Sequence, residues 1–222
     1  MKVLFHGSDK IVQTPSLEEG KPYNDYGRGL YCTEELEMAK EWACKKNVDG
    51  YVNVYNLDTK DLNILYLNNY NVLNWIAILL KNRTFHLNKP ISIAAKEYIL
   101  NNFDIDISHY DIIIGYRADD SYFSYADDFI SNTISTRTLN EALTLGKLGL
   151  QTVLVSEKAF SKLEFVNYIK IDKTIYYKKY KERDNKARSD YQMMKNNLNV
   201  IKDDIFILDI IRKELKNNDT LI

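Results

Sequence analysis

The residue types best suited to catalysis or metal binding are scarce in this chain. It contains three histidines, His6, His86 and His109, and two cysteines, Cys32 and Cys44. His86 and His109 have no Cys, Asp or His neighbour at the spacing of a metal site, so we interpret them as structural. Two cysteines also argue against a disulfide framework and a Cys/His zinc site. If a histidine does chemistry here, His6 is the candidate.

Two glycine-containing segments stand in the first fifth of the chain. The first is HGS at 6–8, which follows the apolar start of the sequence. The second is YGRGLYCT at 26–33, which leads into a helical pattern whose apolar face includes Ala39 and Trp42. Each feature alone is more often a turn or a core position, and the Gly-x-Gly is not a dinucleotide fingerprint because no GxGxxG follows. Their order and separation together indicate a binding site.

These motifs resemble the NAD-binding core of the ADP-ribosyltransferases, in the His-Tyr-Glu branch shared by diphtheria-type toxins and poly(ADP-ribose) polymerases. Within that superfamily the chain is most similar to a bacterial group of toxin components of toxin–antitoxin pairs, in which a pattern HGS…NDFGKGFYLT…A…WA recurs. A YD…G…ADD segment and a late strand led by Gln151 extend the resemblance, which covers about residues 4–166 and continues into the basic ERDNKAR segment at 182–188. It implies an ADP-ribosyltransferase-like split β-sheet core, with NAD⁺ as a co-substrate and no metal.

The resemblance implies a role for each motif residue. His6 would hydrogen-bond a ribose hydroxyl of NAD, and the backbone of Gly7 would pair with the nicotinamide carboxamide. Tyr31 and Trp42 would offer their rings to the two faces of the nicotinamide. The other NAD-binding residues expected from these motifs are Ser8 and Gly29.

Two positions depart from the family pattern. The polymerase relatives carry a Ser where this chain has Ala39, and Thr33 is the candidate to replace its contact with the carboxamide. Gln151 stands where the family has a Glu that holds the ribose 2′-hydroxyl. A Gln can hold the ribose through its amide, but it carries no charge and cannot act as a base. We therefore expect mono-ADP-ribosyl transfer, with Glu157, beyond the strand, as the lower-ranked alternative acid.

Because Gln151 carries no charge, the negative charge must come from another residue, and a pair of aspartates is the candidate. Asp119 and Asp120 follow a predicted strand at 110–116, and one of them would position the acceptor or activate its nucleophile. The alternative is that they cap the helix that follows. Arg117 would pair with the NAD pyrophosphate or with a neighbouring Asp, and Arg28 is a second candidate for the phosphates.

Short strands interleaved with helices must position these residues. The predicted strands are 2–6, 30–33, 51–57, 110–116, 151–155 and 164–171. The predicted helices are 34–46, with Thr33 as N-cap, then 72–82, 91–102, 121–132 and 138–147. From about residue 175 the sequence has long helical periodicity without Gly or Pro and a basic stretch. The pattern predicts an α+β fold with a catalytic domain at 1–172 and a helical C-terminal extension at 173–222.

Composition excludes several classes of protein. The 222 residues have a formal net charge of -1, which argues against a protein that binds nucleic acid by bulk charge alone. The N-terminal apolar stretch is too short for a signal peptide. The longest apolar run, WIAILL at 75–80, is far below the roughly 20 residues of a membrane helix. We therefore expect a cytoplasmic protein without a membrane partner.

The C-terminal extension has three interpretations. It is a helix packed on the core, a nucleic-acid contact through its basic residues, or a docking surface for an antitoxin or chaperone-like partner through an apolar stripe. That stripe consists of Ile205, Leu208, Ile211 and Leu215. The resemblance favours the toxin of a toxin–antitoxin or phage-defence system that modifies a macromolecular acceptor, either protein or nucleic acid. The alternative hypothesis, motivated by the two departures above, is a catalytically inactive module that binds NAD or ADP-ribose.

Overall fold

Two β-sheets form the centre of the protein. The computed structural model describes residues 1–118 and 120–219, apart from the side chains of residues 120 and 121. The first sheet is antiparallel, in the order β1-β3-β7, and its strands are β1 (Lys2–Ser8), β3 (Gly50–Leu57) and β7 (Leu163–Ile171). The second has the order β2-β6-β5-β4, and its strands are β2 (Leu30–Cys32), β6 (Leu150–Leu154), β5 (Ile112–Tyr116) and β4 (Ile64–Tyr66). Only the β4–β5 pair of this second sheet is parallel.

The two sheets are joined at a backbone bridge between β1 and the residue after β2. The amide of Phe5 donates to the carbonyl of Thr33 at 2.8 Å, and the amide of Thr33 donates to the carbonyl of Phe5 at 2.9 Å. Beyond this bridge the strands have different partners, since β1 pairs with β3 and β2 pairs with β6. The residues next to the bridge therefore lie where the two sheets separate.

Helices surround the sheets. In chain order they are α1 (Leu36–Ala43), α2 (Val72–Asn82), α3 (Pro90–Asn102), α4 (Asp120–Ile130), α5 (Thr136–Ala142), α6 (Glu157–Ser161), α7 (Lys173–Asn196) and α8 (Ile207–Arg212). Within the described residues, no helix is both long enough and apolar enough to cross a bilayer.

The main hydrophobic core is built around α2. Residues 72–80 of this helix are all buried, and all but Asn74 are apolar, which fits a helix enclosed by the core. Asn71 begins the helix by accepting a hydrogen bond from the Leu73 amide at 2.8 Å. A second core lies under the strands of both sheets and includes Leu4, Tyr55 and Leu154. Burial on this scale fixes the strands that carry the site.

The C-terminal extension packs on the rest of the chain. α7 begins at Lys173, directly after the predicted boundary, and Asp172 caps it by accepting from the amide of Thr174 at 2.7 Å. The extension contributes buried residues to the core around α2, namely Tyr191, Ile207, Ile210 and Leu215. Ile205 and Ile211, two residues of the apolar stripe predicted in the extension, also pack against that core. The structure thus shows this segment as helices packed on the core.

The predicted α+β fold is confirmed, with two sheets, flanking helices and a long C-terminal helix. Three local predictions are corrected. β1 does not end at His6, as predicted, because its pairing with β3 continues to Ser8. The helix predicted at 138–147 is α5, which ends five residues earlier, at Ala142. α1 begins at Leu36, with Glu35 as its N-cap residue, because the backbone of Thr33 is engaged in the bridge to Phe5. β4 and α6 are absent from the predicted elements.

Candidate functional site

A cleft of about 510 Å³ opens beside the bridge that joins the two sheets, and we call it the central cleft. Eight of the predicted site residues line it: His6, Gly7, Ser8, Gly29, Tyr31, Trp42, Arg117 and Gln151. They come from β1, β2, α1, β6 and the segments before β2 and after β5. Asp119 and the side chain of Asp120 lie outside the described residues. The fold therefore brings together residues that are up to 145 positions apart in the sequence.

His6 connects the two sheets through its imidazole ring. Its Nδ1 lies 2.8 Å from the carbonyl oxygen of Tyr31. Because a carbonyl can only accept, Nδ1 carries the proton, and Nε2 of the neutral ring is an acceptor. Burial lowers the pKa of His6 below its usual value, although the bond to Tyr31 opposes this shift. His6 is thus a neutral imidazole at neutral pH, and its ring orientation is fixed.

Tyr31 holds the loop that precedes β2. Its hydroxyl donates to the carbonyl of Gly27 at 2.8 Å and accepts from the amide of Tyr26 at 2.9 Å. Gly27 has a φ of 76°, a conformation that favours glycine, so the turn depends on this residue. Burial raises the pKa of Tyr31, and the phenol stays protonated at neutral pH. The Tyr31 ring is therefore a fixed wall of the cleft.

Helix α1 packs directly against β1 at Gly7. A Cβ atom at Gly7 would lie 2.3 Å from the carbonyl oxygen of Ala39 and 2.7 Å from the amide nitrogen of Ala43. The structure thus explains Gly7 by the approach of a helix, whereas the sequence interpretation invoked the approach of the nicotinamide. Ala39 is fully buried at this contact. A larger residue at either position would push α1 away from the cleft.

Trp42 and Arg117 meet inside the cleft. The guanidinium group of Arg117 lies over the ring of Trp42, a cation–π arrangement. Arg117 is buried, with 5% of its surface exposed, and follows β5 directly. One face of Trp42 is thereby covered. The ring has only its other face for a second planar group.

Asp25 is a cleft residue that the sequence analysis did not identify. Its Oδ1 accepts from Arg83 at 2.8 Å, and its Oδ2 accepts from the amide of Ala118 at 2.9 Å and from Nε2 of Gln151 at 3.1 Å. Burial raises the pKa of Asp25, while these three donors and the charge of Arg117 act in the opposite direction. In the sequence, the position of Asp25 directly before the Tyr-Gly-x-Gly turn is the signal that could have indicated this residue.

Gln151 is held by two acceptors of the protein. Its Nε2 donates to Asp25 and also to the carbonyl of Tyr116 at 3.2 Å. Both amide protons are thus engaged, which fixes the orientation of the side-chain amide. Only 3% of Gln151 is exposed. Gln151, which stands where the motif resemblance expects a Glu, is thus hydrogen-bonded directly to the carboxylate of Asp25.

Three other predicted residues lie elsewhere. Arg28 donates to the carbonyls of Glu18 and Gly20 at 3.0 and 2.8 Å, so it supports the loop beside the cleft. Thr33 is buried, and its hydroxyl accepts from the amide of Glu35 at 3.1 Å. Glu157 is exposed at the start of α6. None of the three is among the residues that line the described cleft.

Basic residues outnumber acidic ones around the cleft. The positively charged lining residues are Lys10, Lys21, Lys45, Arg83 and Arg117, and the carboxylates are Asp9, Glu19 and Asp25. This balance suits a ligand with negatively charged phosphates. In the part of the chain that the structure describes, no three His, Cys, Asp or Glu side chains are grouped to hold a metal ion.

A comparison with protein families gives one match. The model of a family described as "Protein of unknown function (DUF3990)" matches residues 2–165. This range contains every lining residue of the central cleft and ends within β7. No curated protein and no solved structure matches the chain. The chain therefore belongs to the DUF3990 family of proteins of unknown function.

Proposed function

We propose that this protein is an NAD-dependent mono-ADP-ribosyltransferase. It would cleave NAD⁺ at the bond between nicotinamide and ribose and transfer ADP-ribose to a macromolecular acceptor. The observation that carries the proposal is the meeting of His6, the Tyr31 ring and Gln151 in one cleft, from three different strands. These are the three positions that the motif resemblance assigns to the His-Tyr-Glu branch.

The side chains of the cleft suit the parts of NAD. Nε2 of His6 can accept a hydrogen bond from a ribose hydroxyl, and the carbonyl oxygen of Gln151 can accept a second one. The Tyr31 ring offers a face to the planar nicotinamide. Arg83, Arg117 and the lysines of the lining give the positive charge that a pyrophosphate needs. A volume of about 510 Å³ lies within the range of sites for ligands of this size.

The reaction needs little proton chemistry in its first step. The bond between ribose C1′ and the nicotinamide nitrogen breaks, and its electron pair leaves with neutral nicotinamide. The ribose then has oxocarbenium character, which a carboxylate nearby stabilises. Asp25 is such a group, acting through the amide of Gln151 at 3.1 Å. An acceptor nitrogen or oxygen forms the new bond to C1′ and loses its proton to solvent.

The same arrangement favours the transfer of a single ADP-ribose over the synthesis of a polymer. Polymer synthesis requires that a hydroxyl of bound ADP-ribose be activated as a nucleophile, a task for a carboxylate in direct contact with it. Gln151 cannot accept that proton, and Asp25 is engaged by three donors. We further propose that the protein is the toxin of a toxin–antitoxin or phage-defence system, as its motifs suggest, and that an antitoxin or chaperone-like protein neutralises it.

The test is to follow both halves of NAD. Purified protein is incubated with NAD⁺ labelled in the nicotinamide or in the adenylate, with and without a cell lysate. We expect release of free nicotinamide and transfer of the adenylate label to macromolecules. His6→Ala should lower the rate of nicotinamide release about 100-fold, because it removes a contact that orients the ribose.

His109→Ala is the matched control, since this histidine is 83% exposed and does not line the cleft. It should leave nicotinamide release unchanged. Thermal unfolding of both variants checks that they are folded. Calorimetric NAD binding without release of nicotinamide would replace the proposed enzyme by the inactive binding module. Absence of both binding and release would overturn the proposal.

A further inference from the structure

A second depression lies between α1 and α7, next to the central cleft, and we call it the α1–α7 groove. Its volume is about 480 Å³. The lining residues are Glu41, Trp42, Cys44, Lys45, Lys46, Tyr177, Tyr180 and Lys181. Three lysines and three aromatic rings thus share one small surface. This composition differs from that of an apolar docking site.

The tyrosines of the groove form a small aromatic platform. The rings of Tyr177 and Tyr180 lie 6.1 Å apart, one helical turn from each other on α7. The ammonium group of Lys181 lies 5.9 Å from the first ring and 5.3 Å from the second. A cation beside two rings combines a phosphate contact with stacking surfaces for bases.

Positive charge dominates the groove. Between residues 173 and 196, α7 carries eight basic and three acidic residues, although the whole chain has a net charge of -1. The carboxylate of the groove, on Glu41, is neutralised by Arg183 at 2.7 Å, and both side chains are mostly buried. Lys45 pairs with Asp9, but Lys45 and Lys46 are exposed on the rim. A ligand of this groove should therefore be an anion.

The groove and the central cleft are adjacent. Trp42 and Lys45 line both of them and separate the two sites. A ligand bound in the groove therefore lies beside the end of the cleft that Trp42 forms. An acceptor for a group released in the cleft must occupy such a position.

We propose that the α1–α7 groove binds a single-stranded nucleic acid, which is the acceptor of ADP-ribose. This inference rests on the proposed function. Phosphates would contact Lys46 and Lys181, and bases would stack on Tyr177 and Tyr180. An acidic peptide would use the lysines but not the aromatic platform. A base-paired duplex keeps its bases stacked, so its bases would not reach the tyrosines.

In the reaction, a nitrogen or oxygen of the bound nucleotide attacks C1′ of the ribose. Nicotinamide leaves with the electrons of the broken bond, and the nucleotide loses a proton.

Binding is tested first, without NAD. Fluorescence anisotropy of labelled 12-nucleotide single strands, DNA and RNA in separate titrations, gives the dissociation constant at several salt concentrations. Tyr180→Ala should weaken binding at least about fivefold, the lower bound for loss of one stacked base. Lys181→Gln should weaken binding and reduce the slope of log K against log salt by about 0.7, the value for one phosphate contact on a single strand.

Lys186→Gln is the matched control on the same helix. Lys186 lies nine residues from Tyr177, about half a turn around α7, and its side chain is 75% exposed. This variant should bind within about twofold of the wild type. A loss equal to that of Lys181→Gln would show that only overall charge matters and would overturn the groove as a site. A tighter affinity for a duplex or for polyglutamate than for the single strands would overturn it as well.

Transfer is tested next, with adenylate-labelled NAD⁺ and the nucleic-acid and protein fractions of a lysate. Label in the nucleic acid, reduced at least about fivefold by Tyr180→Ala, supports the inference. Label confined to protein overturns it. Calorimetry of NAD binding to the wild-type protein separates the two proposals. NAD binding without single-strand binding rejects only the groove, whereas single-strand binding without NAD binding rejects the proposed function.

Discussion

In the central cleft, Asp25 and Gln151 are almost completely buried and are held by hydrogen bonds from three elements, whereas Lys46 and Lys181 of the α1–α7 groove are exposed on the surface. The hydrogen bonds of Asp25 and Gln151 fix the orientation of their side chains. The groove lysines sit on flexible stems that can follow different ligands. Rigid polar groups suit a single cosubstrate, because they need no reorganisation during the reaction. Flexible charges suit an acceptor whose sequence varies.

This contrast makes different demands on stability. A buried polar network is destabilising when one member is removed, because the remaining groups lose their partners without gaining water. Exposed charges contribute little, since solvent screens them. Substitutions in the two regions should therefore differ in their effect on folding as well as on activity.

The largest effect is expected for Asp25→Ala. The variant leaves the buried amide of Ala118 and one proton of Gln151 without their acceptor, and it removes the ion pair with Arg83. We expect a loss of about 3 kcal/mol in the free energy of unfolding. Urea denaturation measures this loss, and the corresponding decrease in Tm would be roughly 6–12 °C for a chain of this length.

Asp25→Asn serves as the conservative comparison. The Asn carbonyl can still accept from Ala118 and Gln151, and the partly exposed Arg83 can turn to solvent. Because burial raises the pKa of Asp25, a neutral side chain avoids part of the desolvation of the charged form. The loss should be about 1 kcal/mol. Equal losses for Ala and Asn would contradict the network.

A smaller effect is expected for Gln151→Glu. This change introduces the carboxylate that the His-Tyr-Glu pattern has and this chain lacks, but it places a second carboxylate beside Asp25 and opposite the carbonyl of Tyr116. Two adjacent carboxylates cannot both be ionised without strong repulsion. We expect a loss of about 2 kcal/mol at pH 7, measured by urea denaturation. Stability should recover as the pH falls, since one carboxyl group of the pair then takes up a proton.

The double variant Asp25→Asn/Gln151→Glu tests the pairing itself. It exchanges the amide and the carboxylate, so the new amide at position 25 can donate to the new carboxylate at position 151, while the amide of Ala118 loses the acceptor that it shares with Gln151 in the wild type. We expect it to be at least about 1 kcal/mol more stable than the Gln151→Glu single variant, a coupling typical of residues in direct contact. Additive losses would show that Asp25 and Gln151 act independently.

Most of the fold could be predicted from the sequence because its elements have strong local patterns. The apolar run that became α2 and the β-branched residues of β5 and β6 define their elements without long-range information. β4 and α6 contain three and five residues, too few for a periodic signal. The start of α1 was displaced by the pairing of Thr33 with Phe5, a contact across 28 positions that no local rule contains.

The grouping of the motif residues in one cleft could be predicted from the sequence. His6, Tyr31 and Gln151 line one cleft as expected, although their chemical roles remain proposals. Asp25 was missed because an Asp before a Gly-containing turn normally needs no further explanation. Only the approach of Arg83, Ala118 and Gln151, from 58 to 126 positions away, gives it significance. The α1–α7 groove likewise depends on how α7 packs on α1.

The smallest effect is expected for the double variant Lys46→Gln/Lys181→Gln in the groove. Both side chains are exposed, and the contacts of Lys181 with the two tyrosine rings are exposed cation–π pairs, which contribute about 0.5 kcal/mol. The free energy of unfolding should therefore fall by no more than about 0.5 kcal/mol, close to the value for Lys186→Gln under the same urea protocol. A loss of 1.5 kcal/mol or more, well beyond the roughly 0.5 kcal/mol of ordinary surface substitutions, would mean that the groove lysines hold α7 on α1. Unchanged stability combined with weaker single-strand binding would assign them to ligand recognition, in contrast to Asp25.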